Sequence, residues 1–288
     1  MMLAIVNRTA GGGRCGKQAD QALAKLRAAG TAVEVRETCA PGDAGRIAVE
    51  ACRAGQRELI AVGGDGTIHE IVNGVMHAGE RISLGFLPLG TGNSFLRDFD
   101  DSFTPLVDRR RRACDVLRLR HSEGEIYSVN LVSVGFAADV ATVTNRRFKP
   151  FGPAGYALGV LSCLARLKRR TFPLRVDGGN LETDRCLFLS FSNSKHTGGG
   201  MKIAPDADTA SGRIEFVRFG PIGRLGLLRR FPRIYRGTHV QPPWGSRRAA
   251  ERIEFEIDEP IDFMIDGEVV TVRPIALEVL PGALEVFL

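Results

Sequence analysis

The chain has 288 residues, 44% hydrophobic and 25% charged, a globular composition that excludes a mostly disordered chain and allows one large domain or two ordinary ones. Lys and Arg number 39 against 33 Asp and Glu; the net charge of +6 suits an anionic partner (a phosphorylated ligand, nucleic acid or an anionic membrane), but composition alone favours a plain solvated basic surface. Six scattered cysteines without a Cys-x-x-Cys pair exclude a disulfide framework and a zinc pattern, and fit a reducing cytosol.

The first 120 residues alternate in type. AIVN (4–7) reads as a short buried strand, and 17–29 as a helix with Ala19, Ala22, Leu23 and Leu26 on one face and Gly30 as its stop. AVEVR (32–36) is strand-like, 43–54 helical with Asp43 as N-cap, and ELIAV (58–62) a strand. Residues 68–77 carry Ile68, Ile71, Val72, Val75 and Met76 at helical spacing, and ISLGFL (82–87) is again a strand. Strands alternating with helices predict parallel βαβ units. After Cys114 the texture changes: DVLRLR, EIYSVNLVSVG, LRVDGG, CLFLSFSNS, RIEFVRFG, RIEFEI, IDFMID, IALEVL and ALEVFL are strand-like, with a hairpin turn expected at Asp177–Asn180. Helices are expected near 153–168 and 222–235. The expectation is an α/β domain over 1–120 and a mostly antiparallel β domain over 121–288. The longest apolar run, 154–165, is too short to span a bilayer, which takes ~20 residues. MMLAIVNRT lacks the features of a signal peptide.

Gly11-Gly12-Gly13-Arg14-Cys15-Gly16 matches a dinucleotide-binding G-x-G-x-x-G, with Glu37 where a ribose-binding acid would sit. It also nearly matches an ATPase P-loop through Gly16 and Lys17, but Gln18 stands where that loop needs a magnesium-binding hydroxyl. Both fits are poor. A flexible turn or a phosphate-facing loop of another kind suits the stretch as well.

VGGDGTIHEIVNG (62–74) is more informative. Gly63, Gly64 and Gly66 let the backbone approach a ligand and offer bare N–H donors, and Thr67 is placed to cap a helix whose N-terminus favours phosphate. Asp65 would sit beside phosphates only with a cation or its waters between them, which points to Mg²⁺. A tight strand–helix turn with Asp65 as its cap is the plainer alternative. LGFLPLGTGNSFLRDF (84–99) repeats the design with Gly90, Thr91, Gly92 and Asn93 before a helix. Two such turns at the carboxyl ends of parallel strands converge on one crevice.

These residues resemble the diacylglycerol kinase catalytic-domain family, which is related to sphingosine and ceramide kinases and more distantly to NAD kinase. The resemblance rests on NRTAGGG (7–13), GGDGT with Glu70 after it, PLGTGN, Asp115, GGGMKIAPDA (198–207) and Asp-Gly-Glu at 266–268. It implies a three-layer α/β nucleotide-binding domain followed by a β-sandwich lipid-substrate domain whose last residues return to the first. It also implies a lipid kinase that moves the γ-phosphoryl of ATP, with Mg²⁺, to a lipid hydroxyl. Asn7, Thr38, Gly63, Gly64, Asp65, Gly66, Thr67, Ile68, His69, Gly90, Thr91 and Asn93 would contact the nucleotide. Asp65 and Asp115 would organise the catalytic Mg²⁺, Asp65 and Glu268 would be catalytic with Glu268 as general base, and Asp208, Ser211 and Arg213 would surround a structural Mg²⁺. On the residues alone, Glu268 reads first as part of a surface Asp-Gly-Glu hairpin turn.

Three positions depart from the family pattern. His69 replaces an asparagine, Ser94 stands where many members have a substrate-side Asp, and Ser211-Gly212 replaces Asp-Gly. Diacylglycerol or a related glycerolipid is the expected substrate. Asp139, in GFAADV, falls where sphingosine kinases read an amine, or else it simply starts a helix; a sphingosine or ceramide substrate is therefore the alternative. Arg146, Arg147 and Lys149, then Arg166, Lys168, Arg169 and Arg170, flank one apolar stretch, and six arginines lie among apolar residues at 218–236. These suit a cytoplasmic enzyme peripherally associated with a membrane. A homodimer stays open. NAD kinase shares the GGDGT turn but lacks PLGTGN, and the serines at 94 and 211 raise an inactive nucleotide- or lipid-binding regulator. One Trp, three Tyr and no basic stripe among stacking aromatics argue against nucleic acid.

Overall fold

The computed structural model describes residues 1–148, 151, 153–198 and 200–288, so Lys149 of the basic flank and Gly199 of GGGMKIAPDA lie outside the described residues. The chain divides into two compact units, Met1–Val116 with Gly282–Leu288, and Leu117–Pro281.

The first unit runs β1 (Met2–Val6), α1 (Arg14–Ala28), β2 (Val33–Glu37), α2 (Asp43–Arg53), β3 (Glu58–Gly63), α3 (Asp65–Ala78), β4 (Ser83–Pro88) and the single turn α4 (Thr104–Val107), then enters β5 (Arg112–His121). The strands lie parallel in the order β2-β1-β3-β4. β1 is buried along its whole length, as a central parallel strand covered on both faces must be. Met2, Ala4 and Val6 meet Cys15, Ala19, Leu23 and Leu26 of α1. Each leucine so buried stabilises the unit by about 1.5–3 kcal/mol relative to an exposed one. α2 and α3 pack at glycine-close range: a Cβ on Gly74 would stand 2.5 Å from the Gly45 carbonyl oxygen.

The second unit carries β6 (Gly124–Ser128), β7 (Leu131–Gly135), α5 (Phe136–Val143), α6 (Pro153–Ala165), β8 (Arg170–Thr171), β9 (Leu174–Val176), β10 (Arg185–Cys186), β11 (Phe188–Ser192), β12 (His196–Thr197), β13 (Met201–Lys202), β14 (Ile214–Phe219), α7 (Arg224–Arg230), β15 (Gly245–Ala250), β16 (Arg252–Phe255), β17 (Ile261–Ile265), β18 (Glu268–Val272) and β19 (Pro274–Val286), the last crossing back into the first unit. Six strands form an antiparallel sheet, β15-β14-β11-β7-β17-β18. One face packs on β5, β9, β16 and β19 through Val132, Phe191, Phe216 and Phe263 against Leu117, Leu174, Ile253 and Leu277, giving the sandwich core. The other face packs under α5, α6 and α7 through Phe136, Leu164, Leu187, Phe219, Leu227 and Met264.

Several local expectations are corrected. Asp43 is not an N-cap: Gly42, at φ +88°, holds that position, and the Asp43 carboxylate instead accepts from the Cys39 and Ala40 amides at 2.8 and 3.1 Å. EIYSVNLVSVG is two strands, β6 and β7, while IALEVL and ALEVFL are one, because Pro281-Gly282 continues β19. The helix expected over 222–235 is α7 followed by a 3₁₀ segment, Phe231–Arg236, since Pro232 has no N–H to donate.

Candidate active site

Three loops meet at the carboxyl ends of β1, β3 and β4. Asn7 Nδ2 donates to Thr67 Oγ1 at 3.1 Å, while Asn7 Oδ1 accepts from the Thr9 amide and hydroxyl at 3.2 and 2.8 Å. Gly64 and Gly90 face each other: a Cβ on Gly90 would stand 2.3 Å from the Gly64 Cα, and one on Gly64 3.1 Å from the Gly90 Cα. A side chain at Gly90 would run into the Gly64 backbone and one at Gly64 would crowd Gly90, so glycine at both lets the two turns touch. Gly11, at φ +64°, closes the third side, where a Cβ would meet the Leu89 carbonyl oxygen at 3.0 Å.

Asp65 begins α3, with Gly64 as its N-cap. Its Oδ1 accepts the Ser94 amide at 2.7 Å, and a Cβ on Gly92 would lie 2.6 Å from its Oδ2. Thr67 is not the cap expected of it: it is buried in the first turn, accepting from Asn7. Gly63 ends β3 buried, Gly66 and Ile68 lie in the first turn, and the Ile68 amide donates to the Gly64 carbonyl at 3.1 Å. His69 lies beside Asn73, whose Nδ2 donates to the His69 carbonyl at 2.9 Å. Asn93 sits at φ +48° and staples its turn by donating to Pro88 and Gly90 carbonyls at 3.1 and 3.3 Å. The helix expected after it is only a 3₁₀ turn, Phe95–Asp98, opened by buried Ser94. Thr38 follows β2, its amide donating to the Val6 carbonyl at 3.0 Å. Asp115 is buried in β5 and its Oδ1 accepts the Gly282 amide at 2.8 Å.

Sequence reasoning missed two cations here. Arg14 Nη2 donates to Thr91 Oγ1 at 3.1 Å and Arg97 Nε to the Gly92 carbonyl at 3.3 Å. Arg14 directly follows the glycine run, and that adjacency was its only signal. Glu37, the ribose acid of the dinucleotide reading, is ion-paired with Arg8 at 2.8 Å. Glu70 is structural, since its two oxygens accept the Gly42 and Ala44 amides at 2.9 and 3.1 Å and so cap α2 from α3.

In the second unit, Asp266 (φ +52°) and Gly267 (φ +99°) form a two-residue turn between β17 and β18. The Asp266 carboxylate is buried, and its Oδ1 accepts from Ser128 Oγ and from the Asn130 and Leu131 amides. Glu268 opens β18 as an exposed residue. Asp139, in the first turn of α5, is paired with Arg170 at 3.0 Å. Ser211 Oγ donates to the Asp208 carbonyl at 3.0 Å and lies 3.4 Å from the Arg213 carbonyl, joining the two oxygens expected to face a structural cation. A structural Mg²⁺ held by Asp208, Ser211 and Arg213 would therefore have to take over the carbonyl oxygens that this hydroxyl now meets. Arg218 leaves the basic stretch: it is buried and binds Glu182 and Asp184, each at 2.5 Å.

A cavity of about 50 Å³ lies between the six-stranded sheet and α7 with its 3₁₀ extension. Phe136, Phe188, Met201, Phe219, Leu227 and Met264 contribute to its walls, which are almost wholly apolar, and Arg230 and His239 contribute too. Above it, Leu225 (83% exposed), Leu228 and Tyr235 stand in solvent among exposed Arg224, Arg229, Arg233 and Arg236. No helix among the described residues is long and apolar enough to cross a membrane.

Residues 1–123 match the diacylglycerol kinase catalytic domain, and residues 130–288 match the YegS C-terminal NAD kinase beta sandwich-like domain. A diacylglycerol kinase of Mycobacterium tuberculosis is 29% identical over 98% of this chain and 93% of its own length. A Pseudomonas aeruginosa protein named "Probable lipid kinase YegS-like" is 32% identical over 95% and 92%. Among solved structures, a diacylglycerol kinase from Bacillus anthracis aligns over 99% of this chain and 96% of its own, with a TM-score of 0.74 at 18% identity. An NAD kinase from Archaeoglobus fulgidus in complex with ATP aligns over 100% and 94%, with a TM-score of 0.51 at 15% identity, and so shares the fold. With both halves matched in order and a relative above 30% identity along almost its whole length, the chain belongs to the diacylglycerol kinase and YegS-like family of lipid kinases.

Proposed function

We propose that this protein uses ATP and Mg²⁺ to phosphorylate the free hydroxyl of diacylglycerol or a closely related glycerolipid. The observation that carries this is the convergence of three glycine loops in one unit, with Gly64 against Gly90 and Asp65 bound to the Ser94 amide. Backbone N–H groups at the head of α3 and in the Gly90–Gly92 turn suit phosphate oxygens, and Arg14 beside Thr91 adds positive charge.

The acids present suit a Mg²⁺ that arrives with nucleotide phosphates and keeps several waters, rather than one caged by protein alone. Asp65 and Asp115 would hold it. Bound there, it would neutralise charge on the transferring phosphoryl group. Glu268 accepts the lipid hydroxyl's proton as the oxygen bonds to the γ-phosphorus and the bond from that phosphorus to the leaving ADP oxygen breaks. Its exposure suits a group that must meet substrate. The lipid chain takes the apolar cavity of the second unit, and the exposed leucines and arginines over it dock on an anionic membrane from the cytoplasmic side. The Asp139–Arg170 pair weakens the case for a sphingoid amine, which would have to displace a guanidinium.

The test is transfer of labelled γ-phosphate from ATP, with Mg²⁺, to diacylglycerol, monoacylglycerol, phosphatidylglycerol, sphingosine and ceramide in mixed micelles. One labelled glycerolipid, lost in Asp65→Asn and reduced mainly in kcat in Glu268→Gln, supports the proposal. ATP binding without transfer to any of them would favour the regulator.

A further inference from the structure

His239 is buried, only 2% of its surface remaining accessible, and neither ring nitrogen has a hydrogen-bond partner among the described residues. It stands against the Phe219 ring, 5.6 Å between centroids, and contributes to the wall of the apolar cavity. Burial keeps the imidazole neutral near pH 7, and a neutral imidazole always carries one N–H donor and one acceptor nitrogen. Leaving such groups unmet costs about 1–3 kcal/mol, a cost that an apolar side chain in this wall would not carry. An imidazole there is explained if the cavity's occupant completes it. Met201 and Met264 line this space of about 50 Å³, and methionine, unbranched with three rotatable bonds, is the side chain best suited to repack around a bound chain.

We propose that His239 is a specificity-determining residue that donates a hydrogen bond to an ester carbonyl of an acylglycerol bound in this cavity. This rests on the glycerolipid reading above: apart from free hydroxyls, the polar atoms of such a substrate are its ester oxygens. A carbonyl oxygen accepts the imidazole N–H, whereas the CH₂ of the corresponding alkyl ether offers nothing at that position. The protein therefore selects ester-linked over ether-linked lipid.

Trp244 is the only tryptophan and lies under Arg230, 4.9 Å from guanidinium to ring, with Arg230 itself at the cavity, so its fluorescence reports occupancy. Dioleoylglycerol and its dialkyl ether counterpart are titrated in mixed micelles against the full-length protein, His239→Phe and His239→Gln. The expected result is about tenfold tighter binding of the ester by the wild type, worth about 1.4 kcal/mol. His239→Phe should bring the two lipids within twofold by weakening the ester alone, and His239→Gln should keep part of the preference. Equal affinities in the wild type, as an imidazole satisfied by bound water would give, overturn the proposal, as does a preference that survives His239→Phe. If the phenylalanine variant does not unfold cooperatively, the wild-type and glutamine titrations decide. The phosphoryl-transfer assay is read separately. Lipid product without ester preference sinks the role of His239 alone, and ester preference without transfer sinks the kinase reading alone.

Discussion

The Ser94 amide donates to Asp65 Oδ1 at 2.7 Å, so one oxygen of the central carboxylate is spent on holding the two glycine turns together. Structure and chemistry are therefore separable at this residue. Asn keeps an oxygen for Ser94 but loses the charge. Asp65→Asn should unfold within about 1 kcal/mol of the wild type while kcat for lipid phosphorylation falls about 10²–10⁴-fold. Asp65→Ala should lose a further ~1–3 kcal/mol, because the Ser94 amide is left without that acceptor. Urea unfolding alongside steady-state kinetics checks both.

The C-terminus contributes to the first unit's core. Glu285 and Val286 pair in parallel with Ser83 and Leu84, and the Phe287 amide donates to the Leu84 carbonyl at 3.0 Å. The Phe287 ring is fully buried, with Arg111 5.3 Å from its centroid. Phe287→Ala should destabilise by about 3–5 kcal/mol, in the range of buried aromatic truncations. A denaturation midpoint unchanged from wild type would mean that the tail docks without contributing.

Periodicity made the βαβ elements of the first unit legible, because central parallel strands such as 58–62 and helices with apolar faces such as 17–29 carry their pattern locally. What it missed depends on contacts between distant residues. That Glu70, rather than Asp43, caps the start of α2 follows from the packing of α2 against α3, which brings in a residue 28 positions away. β18 was hidden because Glu268–Val272 alternates weakly and is defined by its partner β17. The motif residues at 7, 63–67 and 90–94 stood out as glycine turns, but the reciprocal Gly64–Gly90 contact joins chain segments 26 residues apart and has no local signature. His239 lies in a stretch with neither period nor motif.

Asp139 and Arg170 form a half-exposed pair at 3.0 Å, a geometry worth under about 1 kcal/mol to stability. Asp139→Asn should leave the unfolding transition almost unmoved and leave diacylglycerol preferred over sphingosine in the transfer assay. A selective collapse of sphingosine phosphorylation would restore Asp139 as an amine contact.

Glu70 accepts two amides at the start of α2, so Glu70→Ala uncovers donors that its own helix cannot satisfy. The expected cost is about 1–2 kcal/mol. KM for ATP in the folded variant should stay within about twofold, since no other role for this side chain is needed. A large rise in KM without loss of stability would move Glu70 into the nucleotide site.

Two buried groups give stability opposite pH dependences. Burial holds the His239 imidazole at about 4, below its ordinary 6.5. The unfolded chain then binds a proton that the folded one refuses. This contribution is complete above about pH 6.5 and is lost as pH falls toward 4. Glu215 runs the other way: burial, reinforced by the Asp206 carboxylate, pushes it from 4.5 up to about 7. The folded protein keeps that proton where the unfolded one has released it, so this contribution is complete below about pH 4.5 and is lost as pH rises through 7. Glu215→Gln replaces a carboxylate that must ionise in place with a permanently neutral group of the same shape. It should be more stable than the wild type by roughly 1–3 kcal/mol at pH 8, and by much less at pH 5, where the wild-type carboxyl is already protonated in the fold. Urea titrations at the two pH values decide it, and an equal difference at both would show that Glu215 ionises in the folded protein as it does in the unfolded chain.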